Sequence, residues 1–268
     1  MEYGSELMSK IEAAIAKKIN LFHSSFGRYA VRAIFATAFL TLGTAIAFGV
    51  AMKGEEIAHG LGKMLYAFMF SWSLVMIIYL NAELATSNMM YMTVGVYKKK
   101  VSVPLALKVL FTCLLFNLIG GVVFGYAMSL TSPFQHLAEN SFVYSVVTSK
   151  LEKGALQIFI EGIFANMVVN IAVLATMRMK DDIGKIFSLL FIIYIFAFLG
   201  FEHVVANFVS MPVAFFASKG TLAAFTAGNV VKNITLAFLG NYVGGGLVMG
   251  LTYAWLNDNS HTKFTYLD

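Results

Sequence analysis

Residues 33–52 run for twenty positions without a charged side chain. Coiled as a helix, such a run crosses the hydrocarbon of a bilayer, which takes roughly 20 apolar residues. Similar runs recur along the chain, and they restrict its fold more than any other feature. In lipid every backbone N–H and C=O must find its partner within the protein. Hydrophobic residues make up 59% of the 268 and charged residues only 12%, with a mean hydropathy of +0.77, whereas soluble domains carry about 25% charge. A soluble enzyme and a disordered chain are both excluded. The expected class is an all-α polytopic membrane protein.

Six spans are expected. The first, third, fourth and sixth cover about residues 30–50, 105–128, 156–177 and 234–255. The second and fifth, about 64–96 and 186–216, stay apolar well past one bilayer thickness, with a polar interruption in the middle. They read as discontinuous helices with a half-helix on each side of a break.

Basic residues set the orientation. Both termini share a side with the linkers after spans two and four, and that side holds thirteen: Lys10, Lys17, Lys18, Arg28, Arg32, Lys98, Lys99, Lys100, Lys108, Arg178, Lys180, Lys185 and Lys263. Six lie opposite: Lys53, Lys63, Lys150, Lys153, Lys219 and Lys232. The bias places both termini in the cytoplasm and the chain in the cytoplasmic (inner) membrane. The formal net charge of +5 is thus a topology signal, and no nucleic-acid partner is expected. No cleavable leader is expected before span one. Residues 1–28 form a cytoplasmic N-terminal segment, 29–256 the transmembrane domain and 257–268 a cytoplasmic tail. Leu7, Ile11, Ile15 and Ile19 recur every fourth position, as in a helix lying on the membrane surface; a leader helix packed on its neighbours fits equally.

The chain also repeats itself. NAELATSN in span two and GFEHVVAN in span five each carry Glu followed five residues later by Asn: Glu83 with Asn88, and Glu202 with Asn207. In spans three and six, Asn117 precedes Gly120-Gly121 by three positions, as Asn241 precedes Gly244-Gly245. The offsets of 119 and 124 residues define halves at about 29–128 and 155–256. Three spans per half is odd, so the halves must be inverted, with the breaks meeting near the midplane, an aquaporin-like plan. A break frees backbone groups that lipid cannot satisfy. Glu83 and Glu202 stand where a half-helix starts and are read as accepting its free N–H groups, with Asn88 and Asn207 tying the loop ends.

His203 has no symmetric partner, because Leu84 occupies the equivalent position. Three readings stand: a core histidine bonded to a carbonyl, a metal ligand, or a group that bonds or protonates a passing solute. The other histidines, His23, His59, His136 and His261, lie in segments expected outside the bilayer core, which disfavours the metal. Imidazole suits the last role because its charge changes near physiological pH. The Thr86 hydroxyl in the opposite break is placed to orient the ring.

GFEHVVAN, AELATSN in the second span and IFANMVVNIAVLAT in the fourth together resemble the formate/nitrite transporter family, over about residues 20–256. The resemblance implies a homopentamer with one pore per subunit, passing small monovalent anions such as formate, nitrite, hydrosulfide or short carboxylates. It carries the family's central histidine to His203, the loop threonine to Thr86 and the entrance lysine to Lys150, with Lys153 close by. The pore asparagines fall on Asn166 and Asn207, and the apolar constrictions on Phe70, Leu74, Leu84, Val169 and Phe196. The family commonly has Phe after Leu84, where this chain has Ala85; a cytoplasmic constriction that is either wider there or filled by a neighbour is expected.

A bare anion crosses an apolar ring only at great cost. On this reading Lys150 concentrates anions at the outer mouth, and the half-helix starts offer positive dipole ends. His203 donates a hydrogen bond, or a proton that turns a weak acid neutral, so protons are partners and the pore is pH-gated. The N-terminal segment is a candidate gate for the cytoplasmic mouth. The alternative is an aquaporin-like channel for small neutral solutes, although the chain lacks Asn-Pro-Ala boxes. No Walker A, HExxH or GxSxG motif supports an enzyme, and no cofactor or metal is expected. Glu55, Glu56 and His59 in KGEEIAHG read as a solvated loop, TSPFQHLAENSF as an ordinary loop, and Cys113 as a packing residue.

Overall fold

The computed structural model describes residues 6–257. Of the expected tail only Asn257 falls within that range; Lys263 and His261 lie outside the described residues. The described chain is helical, without strands. Helix α1 (Glu6–Ser24) leads into α2 (Phe26–Ile57). Next come α3 (Leu61–Phe70) and α4 (Trp72–Tyr79), separated by Ser71 alone, then a break, then α5 (Ala85–Tyr97). After α6 (Val103–Ser129), the linker contains the short α7 (Ser132–Gln135) and α8 (Phe142–Glu152). The second half holds α9 (Ala155–Arg178), α10 (Asp182–Leu199), a second break, α11 (Val204–Ala217) and α12 (Ala227–Asn241). Helix α12 continues through a π-helical stretch, Tyr242–Leu251, into α13 (Thr252–Leu256).

Six of these stretches are long and apolar enough to cross a membrane: Phe26–Ile57, Leu61–Tyr79, Val103–Ser129, Ala155–Arg178, Asp182–Leu199 and Ala227–Leu256. The breaks fall at residues 80–84 and 200–203, in the middle of the two long apolar stretches as expected, and the limbs before them measure 19 and 18 residues, nearly a full span each. At the second break Gly200 ends α10 in the left-handed region (φ 70°), and at the first Asn81 does the same (φ 53°). That conformation is open to Gly and tolerated by Asn.

The halves interlock. Helix α5 packs on the π-helical stretch of the other half, α11 packs on α6, and α3 meets α10. Close approach requires the glycines: Gly121 lies against the Phe208 backbone, Gly244 against Ile163, and Gly245 against the Asn166 side chain, each too near for a Cβ. The inversion extends one helix further than the sequence indicated. Helix α1 packs on α5 as α8 packs on α11. The apolar face of α1, including Leu7, Ile11 and Ile15, is buried against protein, with Ile19 packed beside it. The packed-leader reading therefore holds for α1, not the membrane-surface one. Outward-facing Leu42, Leu115 and Phe191 are exposed, as a lipid-facing belt requires.

Candidate functional site

Each break is held by an asparagine from the third span of its own half. Asn117 Nδ2 donates to the carbonyls of Ala33 (2.7 Å) and Glu83 (3.0 Å), while its Oδ1 accepts from the Ala85 N–H (2.9 Å). Asn241 Nδ2 donates to Gly162 and Glu202 carbonyls (2.8 Å each), and its Oδ1 accepts from the Val204 N–H (2.8 Å). Both are fully buried. The first free N–H of each short helix is thus satisfied by a carboxamide. The expectation that Glu83 and Glu202 would cap these helices is corrected: their carboxylates turn to lysines and amides. Glu83 accepts from Lys18 Nζ (2.7 Å) and Asn88 Nδ2 (3.1 Å). Glu202 accepts from Lys153 (2.7 Å), Lys150 (3.3 Å), Asn207 (2.8 Å) and Asn233 (3.2 Å). A buried charge needs such partners, since desolvating a carboxylate alone is prohibitive.

His203 is the N-cap of α11. Its Nδ1 accepts from the Ala206 N–H (3.0 Å), and Nε2 lies 2.8 Å from Thr86 Oγ1. Because Nδ1 is an acceptor, the ring proton sits on Nε2 and points at Thr86. This is a neutral imidazole; a proton on Nδ1 would face the Ala206 N–H donor to donor and cost the cap. The ring stands edge-on to Phe196, centroids 5.6 Å apart, and Phe196 meets Phe70 at 5.7 Å.

Three cavities line up through this point. On the α1 side a vestibule of about 460 Å³ is bordered by Lys17, Lys18, Arg32, Asn81, Glu83 and Lys185. In the middle a chamber of about 20 Å³ is bordered by Leu40, Phe70, Ser73, Leu74, Ile77, Leu84, Val169, Ile193, Phe196 and His203. On the far side a pocket of about 150 Å³ includes Lys63, Tyr66, Lys150 and Ser210. Leu84 and Ile77 border both vestibule and chamber; Phe70 and Phe196 border both chamber and far pocket. Two apolar constrictions therefore separate three compartments.

Charges stand at both ends. On the far side Lys153 Nζ is held by Glu161, Glu202 and the Gly200 carbonyl, whereas Lys150 has a single longer contact with Glu202 and borders the pocket. Burial works against both ammonium groups. It prevails at Lys150, whose pKa falls below the usual lysine value; at Lys153 the Glu202 and Glu161 carboxylates outweigh it, and the pKa lies above.

The five constriction residues and His203 all border the chamber. Asn166 and Asn207 do not: Asn166 Nδ2 stitches Thr86 O (3.0 Å) to Asn241 O (2.8 Å), and Asn207 serves Glu202 and Asn233. Ala85 is buried and borders none of the three cavities, so no widening follows from its small side chain. Sequence reasoning missed Lys18 as the counterpart of Lys150, the capping by Asn117 and Asn241, and Asn233, Glu161 and Ser73. It also missed α8, whose buried Val143, Tyr144, Val147 and Leu151 have helical spacing in a stretch too short to register as a span. Cys113 is buried as expected, its Sγ 3.3 Å from the Glu83 carbonyl. Among the described residues no cluster of three or more metal-ligating side chains occurs.

The chain matches the formate/nitrite transporter family over residues 5–255. A probable formate transporter of Methanothermobacter thermautotrophicus is 29% identical, covering 85% of this chain and 88% of its own. Among solved structures, an FNT family ion channel superposes with TM-score 0.87 at 24% identity, over 94% of this chain and 99% of that one. A pentameric formate channel with formate bound gives TM-score 0.72 at 23% identity, over 85% and 96%. With six spans, two braced breaks and a match over nearly its full length, the chain belongs to the formate/nitrite transporter family.

Proposed function

We propose that the protein conducts small monovalent weak-acid anions through the bilayer, one pore per subunit of a homopentamer. The observation that carries this is the row of three compartments, cationic at both ends and apolar at both constrictions, with His203 bordering the middle. Lysines draw an anion into either mouth. The apolar rings then reject it unless its charge is neutralised, because an unpaired charge in a low-dielectric passage costs far more than a neutral molecule. A weak acid meets that demand by taking a proton; a strong-acid anion such as chloride does not. With its ring proton directed at Thr86, His203 acts on this reading as a polar wall that holds hydrogen-bonding order next to the apolar rings. The proton itself arrives with the permeant, so flux rises as pH falls.

The chamber's size favours formate, nitrite and hydrosulfide over lactate. The names of the relatives point the same way: a probable formate transporter and a pentameric formate channel. The thirteen-to-six distribution of basic residues supports a cytoplasmic-membrane orientation with the termini, α1 and its vestibule in the cytoplasm, and Lys150 and its pocket outside. Residues 1–28 and 257–268 are then cytoplasmic, flanking the channel domain at 29–256.

The test is flux into proteoliposomes of formate, nitrite, hydrosulfide, lactate and chloride, with glycerol as neutral control, at two pH values. Weak-acid anions are expected to pass faster at the lower pH, with chloride and glycerol excluded. Chloride keeping pace with formate would refute proton-linked neutralisation. Glycerol passing while no anion does would refute the anion assignment.

A further inference from the structure

We infer that the Ser73 hydroxyl is the permeant-binding group of the central chamber. The inference rests on the pathway reading above and adds a binding residue to it.

Two polar side chains border the chamber, Ser73 and His203. Both imidazole nitrogens already have partners, Ala206 N–H and Thr86 Oγ1. Ser73 is 1% exposed and its Oγ has no hydrogen-bond partner among the described residues. Several hydroxyls in the helices satisfy themselves on the preceding helical turn: Thr41 on the Thr37 carbonyl (2.7 Å), Ser71 on Ala67 (2.9 Å) and Thr93 on Met89 (2.8 Å). That is the ordinary solution for Ser and Thr in a membrane helix. Thr44, Ser210 and Ser73 do not adopt it, and of these three only Ser73 borders the chamber. It follows Phe70 by three positions, so it faces the same side as that constriction residue, and it immediately precedes Leu74. Its hydroxyl rests over Gly43 of α2, where any Cβ would overlap it. The two sequence choices act together: glycine leaves the space, and serine places a hydroxyl in it.

A hydroxyl has one donor and two acceptor sites. It donates to the carbonyl oxygen of a weak acid and accepts from the acid's O–H, so it meets both polar groups of the neutralised permeant. A fixed N–H donor meets only the carbonyl oxygen. The chamber's volume, about 20 Å³, compares with the roughly 10–15 Å³ that one water requires. The space admits only the smallest permeants; on the pathway reading the ligand is a small monovalent oxyanion in its neutralised form. Hydrosulfide, whose sulfur is a poor acceptor, draws less from the hydroxyl.

The experiment compares wild type, Ser73→Ala, Ser73→Thr and Ser73→Val in proteoliposomes, recording half-saturation concentration and maximal rate for formate and for hydrosulfide. Thr and Val share one shape and differ by the hydroxyl. The Ala and Val variants are expected to raise the formate half-saturation concentration about tenfold, as loss of one hydrogen bond implies. Thr stays near wild type, and hydrosulfide shifts much less than formate. Equal formate behaviour of the Thr and Val variants would overturn the inference, even if both differ from wild type, because shape alone would then explain the change. Equal shifts for formate and hydrosulfide would overturn it as well. Failure of the pathway reading looks different: wild type itself would carry no anion.

Discussion

The two breaks perform the same structural task with different surroundings. Each has a Glu, an Asn five residues on, and an Asn from the third span that makes three hydrogen bonds to the loop and its neighbours. They diverge in what surrounds the Glu and what caps the short helix. Among the described residues Glu83 is paired with Lys18 alone; Glu202 has both Lys150 and Lys153. Leu84 caps α5 without a side-chain bond, while His203 caps α11 through its ring. The shared features belong to the architecture, which a membrane imposes on any broken helix. The unshared ones are where a function is free to reside.

The largest effects should fall on the shared features and fall equally. Asn117→Ala and Asn241→Ala each remove the partner of a short helix's first N–H and of the loop carbonyl before it, at roughly 1–3 kcal/mol per group left unpaired. Both variants are expected to lose most of their thermal stability in detergent, by similar amounts. A harmless Asn117→Ala beside a crippling Asn241→Ala would show that the halves are not braced alike. Next come the carboxylates. Removing one partner of a buried ion pair costs about 3–5 kcal/mol; Glu202→Gln breaks two lysine contacts, stranding Lys150 while Lys153 keeps Glu161, where Glu83→Gln breaks one. The drop in melting temperature should therefore be greater for Glu202→Gln; the reverse order would deny the second break its heavier electrostatic load.

Smaller effects should probe the unshared features. His203→Leu, which copies the first half, removes a helix cap worth about 1 kcal/mol. It should leave the protein folded, while formate flux changes its rate and pH response. Unchanged flux would reduce His203 to a cap. The smallest effect concerns Lys150. Burial holds its pKa below that of an ordinary lysine, so its charge is lost as pH rises toward that lowered value. Anion capture from its side should weaken on alkalinisation. In Lys150→Arg the guanidinium stays charged, and that alkaline decline should flatten.

Much of this was legible in the sequence because polar residues are rare in apolar runs. Glu83, Asn88, Glu202 and Asn207 announced the breaks, and the recurrence of Asn117 and Asn241 ahead of paired glycines announced the repeat. What those asparagines bind was not legible. Spacing along the chain does not say that a carboxamide three residues before a glycine pair reaches back to cap another span. Lys18 escaped notice for a different reason: among thirteen basic residues it read as a topology signal, and its match to Lys150 appears only when α1 and α8 are seen packed on equivalent helices. Ser73 escaped because a lone serine in a membrane helix ordinarily bonds its own backbone. Asn166 and Asn207 were assigned to the pore wall on resemblance, whereas their Nδ2 groups stitch the breaks.

The crossing of the short helices also constrains how the protein is made. Helix α5 finds its packing surface on the π-helical stretch at Tyr242–Leu251, which leaves the ribosome some 150 residues later. The N-terminal half emerges able to pack α5 on its own α6, but the surface that α5 shares with the second half forms only when residues 242–251 arrive, which makes that π-helical stretch the latch between the halves.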